Sequence, residues 1–260
     1  MAACYRHAPC RNRSRPIQTT LEKSQFLLKH TCPMPRLTPL GPELWHVTHH
    51  FKVGWMPVST RMTVVRLTDR SLWLHSPIPL DQDLLCELAA LGEVRAIVAP
   101  NKTHHLFLSA CAATFPNATV HGAPGLADKR PDLSLQHETT CPPENWGMHF
   151  DQVFIEGIPF ANETVWFHRA SATLIVTDLV QCWDGALPWS AHVYASLTGV
   201  RGVLAMPLTV RALVRDRAAF QRCAERILVL PFERIVMAHN TVIEANAHAQ
   251  MRHALRAFLN

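Results

Sequence analysis

Hydrophobic residues along this chain form short apolar runs and helical repeats, and the two patterns alternate. The apolar runs predict strands over residues 44–50, 62–67, 71–75, 96–99, 118–121, 153–156, 164–168, 173–177 and 234–238. Apolar positions three and four residues apart predict helices over residues 81–92, 104–114, 216–228 and 243–259. Strands that first pair with each other and are then interleaved with helices predict an α/β fold with two sheets sandwiched between helices.

The length and composition fit a single domain of this kind. The chain has 260 residues, of which 48% are hydrophobic and 17% are charged, which is typical of a globular protein. No run of 18 apolar residues occurs, so we predict neither a transmembrane helix nor a membrane partner. We expect one domain over residues 34–260.

The positive charge of the chain is concentrated at its start. The net charge is +5, and residues 1–33 alone carry this excess, so that residues 34–260 are balanced. A folded domain without a basic excess predicts no nucleic-acid partner. Because residues 1–33 are rich in arginine and poor in acidic residues, we expect a disordered tail or translated non-coding sequence, with Met34 as the natural start.

The cysteines indicate a reducing compartment. None of the eight forms a CxxC pair, and Cys86, Cys111 and Cys223 fall at apolar positions of predicted helices, where a thiol behaves as a small hydrophobic group. We see no secretory signal and expect a cytoplasmic protein.

Three of the predicted strands lead into residues that can bind a metal ion. These are His104 and His105 after one strand, Asp178 after a later strand and His239 after the last. Open α/β folds place their chemistry at the carboxyl ends of strands, and neutral imidazole is the commonest protein ligand of transition metals. Taken singly, such histidines also cap helices or fill a core, and such an aspartate is usually a turn residue. Three strand ends in one chain are better explained by convergence on one site.

The order of these residues resembles that of the metallo-β-lactamase-like superfamily. That family carries an HxHxDH motif after one strand, a bridging aspartate after a later strand and a final histidine after the last. More narrowly, the chain resembles the DUF4336 family in the segments RMTVVRL, SLWLHSP, IVAPNKTHH, WFHRASATLIVTDLV and RIVMAHNTVIE. The resemblance covers about residues 37–259. It implies a four-layer αββα sandwich of two mixed sheets flanked by helices, and a metal site.

The first motif of the family is altered in this chain, because NKTHH stands where HxHxDH is typical. Asn101 and Thr103, or Pro100 and Lys102 in the other register, occupy the places of two histidines. A lysine ammonium has no lone pair to give to a cation. The resemblance therefore implies one divalent metal instead of two, with Zn²⁺ or Fe²⁺ favoured by the ligand types.

The resemblance also implies roles for individual residues. His104, His105 and His239 correspond to metal ligands, and Asp178 corresponds to a ligand or an orienting base. Two other residues can substitute for the missing histidines, namely His168 in WFHRAS and Glu163 in ANETV. If His168 faces inward, it is a ligand or a proton shuttle; if it faces solvent, it is a hairpin-turn histidine. The sequence leaves both readings open.

Two connecting segments lie between the predicted elements. Residues 122–146 are rich in proline and predict a loop that acts as a flap over a site. Residues 181–207 carry Trp183, Trp189 and Tyr194 with little strand signal. These aromatic residues cover the core, which is their commonest use, or wall a substrate pocket, or form a homodimer interface.

Two classes of function fit these features. The first is a metal-dependent hydrolase that acts with metal-activated water on a small-molecule ester, lactone, thioester or phosphoester. The second is a degenerate scaffold of the same fold that is used for binding without catalysis, and the loss of two motif histidines favours it.

Overall fold

Two sheets organise the described part of the computed structural model, which covers residues 36–140 and 142–259. The expected tail of residues 1–33 and the expected start at Met34 lie outside the described residues. The first sheet has seven strands in chain order: β1 (Thr38–Gly41), β2 (Leu44–Val53), β3 (Met56–Arg66), β4 (Ser71–His75), β5 (Glu93–Ala99), β6 (Thr119–Gly122) and β7 (His137–Glu138). Neighbours from β1 to β4 are antiparallel, and neighbours from β4 to β7 are parallel.

The second sheet has four strands, which are β8 (Phe150–Phe154), β9 (Thr164–His168), β10 (Thr173–Ile175) and β11 (Arg234–Val236). Their order across the sheet is β11-β10-β9-β8. β8, β9 and β10 are antiparallel neighbours, whereas β10 and β11 run parallel. Both sheets are therefore mixed, as the resemblance implies.

The described helices are α1 (Gln82–Leu91), α2 (Leu108–Thr114), α3 (Leu126–Lys129), α4 (Trp189–Thr198), α5 (Leu208–Ala212), α6 (Arg217–Leu228) and α7 (Ala247–Leu255). Short 3₁₀ turns occupy Glu144–Met148, Arg169–Ser171 and Arg256–Phe258. Within the described ranges, no helix has the length and apolar character needed to cross a bilayer.

Apolar side chains divide between an inter-sheet layer and two helix-facing layers, because successive residues of a strand point to opposite faces. Leu72 of β4 belongs to a buried cluster with Leu84 and Leu88 of α1, whereas its neighbour Trp73 meets Trp166 of β9 at 5.5 Å between ring centroids. On the far side, Val165 of β9 shares a buried cluster with residues of α6 and α7. The predicted αββα sandwich is thus confirmed.

Helix α1 shows how the local sequence sets its bounds. The Asp81 side chain accepts the backbone N–H of Leu84, which caps the helix, and Gly92 ends the helix by donating its N–H to the Leu88 carbonyl. A side chain at position 92 would overlap the backbone carbonyl of Arg70. Gly92 therefore permits the close passage of the chain beneath the turn between β3 and β4.

Two predicted helix starts are wrong. The helix predicted from His104 begins at Leu108, because the Asn101 side-chain oxygen accepts the N–H groups of Thr103 and His104 and holds this segment in a turn. The last helix begins at Ala247 instead of residue 243, because the backbone of Ile243 pairs with that of Ile235 in β11. Side-chain and long-range backbone pairing override the helical spacing in both places.

Candidate metal centre

Three strand ends meet at one edge of the two sheets. β10 and β11 are parallel, so the residues that follow them, Asp178 and His239, leave the second sheet on the same side. The first sheet reaches this edge after β5. There the backbone N–H of Thr164 donates to the Pro100 carbonyl, and the backbone N–H of Lys102 donates to the Ala161 carbonyl. The loop that carries His104 thereby lies beside Asp178.

The side chains of His104, Asp178 and His239 form a compact group, which we call the metal centre. The two Nε2 atoms are 3.2 Å apart. The Asp178 carboxylate places Oδ2 at 3.4 Å from His104 Nε2 and Oδ1 at 3.1 Å from His239 Nε2. Each side chain is only 10–19% exposed, so the group is sheltered but reachable. Within the described residues, this trio is the cluster of His, Cys, Asp and Glu side chains whose ligand atoms are close enough to share an ion.

Both histidines are held from behind at their Nδ1 atoms. His239 Nδ1 lies 2.7 Å from the backbone carbonyl oxygen of Ser59, an acceptor only, so this nitrogen carries a proton, and in the neutral imidazole Nε2 keeps its lone pair. His104 Nδ1 lies 2.8 Å from the Ser76 hydroxyl. Metal-bound histidines are typically oriented in this way by a partner at the other ring nitrogen. The sequence analysis did not identify Ser59 or Ser76.

The charges of the group favour a cation at its centre. Burial acts to raise the pKa of Asp178, but the charges and hydrogen bonds of His104 and His239 outweigh it and hold the pKa well below the usual value. Burial acts to lower the pKa of His239, yet Asp178 and the Ser59 carbonyl raise it. An anionic carboxylate that faces two imidazole nitrogens can bind a proton or a metal ion between the three groups.

Asn101 and Glu163 fix the position of Asp178. The Asn101 amide donates to Asp178 Oδ2 at 2.8 Å and to Glu163 Oε2 at 3.3 Å. The Glu163 carboxylate, 2% exposed, accepts the backbone N–H groups of Thr177, Asp178 and Leu179. Burial, together with the nearby charge of Asp178, raises the pKa of Glu163. Glu163 therefore holds the loop that carries Asp178 through hydrogen bonds to its backbone, and Asn101 orients the Asp178 carboxylate.

Arg61 holds the loop around His239. Its guanidinium donates to the backbone carbonyls of Met237 and Asn240, on either side of His239, and to Nδ1 of His46. The residue is 5% exposed and belongs to β3 of the other sheet. The signal that could have found it is a charged residue inside an otherwise apolar strand, RMTVVRL. The same strand-end argument that found Asp178 also applies to Ser76, which follows the end of β4.

Two of the predicted site residues are not in the metal centre. His105 lies in the same cavity, but its Nδ1 accepts a hydrogen bond from Arg130 at 2.8 Å, and burial followed by the charges of Lys129 and Arg130 lowers its pKa. The prediction that His168 joins the site is wrong in its geometry, because β9 runs antiparallel to β10 and carries His168 to the opposite edge. There the imidazole is fully buried and pairs with the Ser171 hydroxyl at 2.8 Å.

A cavity of about 570 Å³ opens onto the metal centre. Its walls come from the β2–β3 hairpin, the turn before α2, the segment after β8, and the region of α4 and α5. Residues 122–146, which were predicted to form a flap, contribute Lys129 to the lining of this cavity. Strand β7 of the same segment extends the first sheet.

The aromatic residues of 181–207 have different environments. Trp183 is buried and stacks on His239 with ring centroids 6.1 Å apart, so it covers the core and also walls the cavity. Tyr194 of α4 lines the same cavity and points its hydroxyl at the Gln181 side chain. Trp189 is 72% exposed and contacts the exposed Trp55 of the β2–β3 turn.

The donor set fits a divalent metal. Two imidazoles and one carboxylate are the number of protein ligands that catalytic zinc sites use, with one position left for water. The same set, two histidines and a carboxylate, also suits Fe²⁺.

Comparisons with known proteins agree with this architecture. A search of curated proteins by sequence gave no match. Among solved structures, the fold is similar to a metallo-beta-lactamase from Pontibacter korlensis (13% identity, TM-score 0.57, 86% of this chain and 98% of that chain). It is also similar to a metallo-beta-lactamase from Erythrobacter litoralis (12% identity, TM-score 0.55, 86% of this chain and 89% of that chain). A third similar structure is the metal-soaked Flv1 flavodiiron core from Synechocystis (8% identity, TM-score 0.57, 86% of this chain and 60% of that chain). At these identities, the likeness is one of fold.

A comparison of the sequence with models of protein families identifies the family. The sequence model of DUF4336, a domain of unknown function, matches residues 42–188, which include His104, Asp178 and the cavity-lining residues of the β2–β3 hairpin. The match spans more than half of the chain. The protein therefore belongs to the DUF4336 family and has the metallo-β-lactamase fold.

Proposed function

We propose that the protein is a metal-dependent hydrolase with one divalent ion held by His104, Asp178 and His239. The observation that carries the proposal is the close approach of the ligand groups: the two Nε2 atoms are 3.2 Å apart, each lies within 3.4 Å of one Asp178 carboxylate oxygen, and each imidazole is held at its Nδ1 atom. Zn²⁺ and Fe²⁺ are the ions that this donor set favours. When bound, such an ion lowers the pKa of a coordinated water toward about 7 and polarises the scissile group.

The residues of the chain then have distinct tasks. His104 and His239 present Nε2 lone pairs, and Asp178 supplies the negative charge that balances the ion. Thr103 lies with its hydroxyl 2.8 Å from Asp178 Oδ2 and 2.7 Å from Asn101 Oδ1, so it orients the carboxylate by donating its hydrogen bond to either oxygen. Trp183 and the neighbouring walls exclude bulk water from one side of the centre.

Metal content tests the proposal directly. Purified protein should carry close to one Zn or Fe per chain by elemental analysis, and a metal-stripped sample should take up one Zn²⁺ in a calorimetric titration. His239→Ala and Asp178→Asn should lose this uptake while keeping the fold by circular dichroism, because the sheet ladders do not depend on these side chains. His192→Ala, at an exposed position of α4, serves as the matched control.

A different outcome would favour the scaffold alternative. If wild-type protein holds far less than one metal per chain after exposure to Zn²⁺, Fe²⁺ and Mn²⁺, the hydrolase proposal is lost. If His239→Ala and Asp178→Asn keep their metal but melt markedly lower, the trio is structural.

A further inference from the structure

The cavity beside the metal centre has a strongly apolar wall. Phe51 and Met56 of the β2–β3 hairpin face it from one side, Phe107 from the turn before α2, and Ile158 and Leu213 from the second sheet's side. Side chains from elements far apart in the chain thus build one continuous apolar surface. Its volume of about 570 Å³ lies within the range of small-molecule sites, which is about 300–1,000 Å³.

The polar groups of this wall are already paired with one another. The Gln181 side-chain oxygen accepts hydrogen bonds from Trp183 Nε1 at 2.9 Å and from the Tyr194 hydroxyl at 3.3 Å. The Gln181 amide in turn lies 3.4 Å from Asp178 Oδ1. Burial is the main cause that raises the pKa of Tyr194, so this hydroxyl stays protonated and uncharged. These three side chains therefore use their hydrogen-bonding groups within the wall.

Away from the metal centre, the side chains of the cavity offer little to hold an anionic ligand. Two carboxylates, Asp178 and Glu163, line it. Among its described lining residues, Lys129 is the permanent cation, and its ammonium donates to the Lys102 carbonyl. The nearby Arg130 is paired with both oxygens of Asp132 and with His105. Apart from the ion itself, the negative charge of a phosphoester would therefore find no free arginine among these side chains.

We infer that the substrate is a neutral carboxylic ester, thioester or lactone whose apolar body lies in this cavity, in preference to a phosphoester. The inference rests on the proposed hydrolase function and narrows it. In the reaction, the oxygen of water adds to the carbonyl carbon, the bond from that carbon to the leaving oxygen or sulfur breaks, and a proton from water passes to the leaving group. The products are a carboxylic acid and an alcohol or thiol, with no change in oxidation state.

Binding of uncleavable probes to the full-length protein tests this class of substrate. Octanamide offers a neutral carbonyl and an apolar chain, butanamide shortens the chain, and octyl phosphate replaces the neutral head by an anion. By calorimetry on metal-stripped protein, octanamide should bind at least ten times more tightly than either of the others. Because the titration needs no metal, its failure is distinct from a failure of metal uptake, which would overturn the hydrolase proposal instead.

Charged substitutions in the wall sharpen the test. Leu213→Asp should weaken octanamide binding at least tenfold, whereas Leu197→Asp, at a side chain that is 73% exposed and lies outside the cavity lining, should leave it unchanged. If Leu213→Asp does not fold, Leu106→Asp replaces it, because Leu106 lines the cavity but is 60% exposed. Equal or tighter binding of octyl phosphate, no preference for octanamide over butanamide, or unchanged binding in the Leu106 and Leu213 variants would each overturn the inference.

Discussion

At the scale of single residues, the positions of His104, Asp178 and His239 depend on side chains outside this trio. Ser59, Ser76 and Arg61 orient His104 and His239, while Asn101 orients Asp178. Second partners of this kind typically change metal affinity by about 10–100-fold when they are removed. The ligands alone therefore describe only part of the site.

Arg61→Lys should weaken Zn²⁺ binding by about 10–100-fold. A lysine keeps the positive charge but offers no rigid fork of donors, so it cannot hold the carbonyls of Met237 and Asn240 and contact His46 together. The comparison is a calorimetric Zn²⁺ titration of this variant against Arg95→Lys, at a side chain that is 58% exposed. Equal affinity in both variants would show that Arg61 does not position His239.

The convergence of His104, Asp178 and His239 was predictable from the sequence, whereas the residues that hold them in place were not, for a physical reason. His104, Asp178 and His239 each follow an apolar strand, which is a local signal. The bond between Arg61 and Met237, by contrast, joins residues 176 positions apart and depends on how the two sheets stack. Local periodicity contains no information about that contact.

At the scale of elements, strand direction decides which residues reach the metal centre. Periodicity predicted β9 correctly, but it does not tell whether a strand runs parallel or antiparallel to its neighbour. Since β9 is antiparallel to β10, its first residues lie near Asp178 and its last residue, His168, lies at the far edge. The same limit applies to helix starts, where the Asn101 turn displaced the start of α2 from His104 to Leu108.

Gly92, which lies between α1 and β5, determines how closely these elements approach the turn between β3 and β4. We expect Gly92→Ala to lower the free energy of unfolding by about 3 kcal/mol, because the added methyl group overlaps the Arg70 carbonyl and the backbone must shift. Urea unfolding measures the change. Gly147→Ala is the matched control, since a Cβ at that position meets no atom within 4 Å. A loss no greater than that of the control would mean that the turn below α1 relaxes freely.

At the scale of the whole molecule, buried histidines make stability depend on pH. Burial is the main cause that lowers the pKa of His46, His121 and His168 to about 4 and that of His75 to about 3. In the unfolded chain, these groups take up protons near their ordinary pKa of 6.5. Their neutral forms therefore stabilise the fold fully above pH 6.5, and this contribution is lost as the pH falls from 6.5 toward 4.

We expect the free energy of unfolding to fall between pH 7 and pH 5, and His168→Gln to reduce that fall by about 2 kcal/mol. Glutamine does not titrate, so the variant lacks the proton that His168 takes up when the chain unfolds at pH 5. Urea unfolding at both pH values, with chelator present and with His192→Gln for comparison, measures the difference. An unchanged pH dependence in His168→Gln would mean that His168 keeps an ordinary pKa in the folded protein.

The three strand ends have a further consequence for how the chain is assembled. The ligands come from positions 104, 178 and 239, and they belong to segments that leave both sheets. An ion held by them would link loops that leave both sheets. A half-formed intermediate with only one sheet in place has no means of gathering the three groups. The ion would then bind only after both sheets have formed, so that its capture comes late in folding.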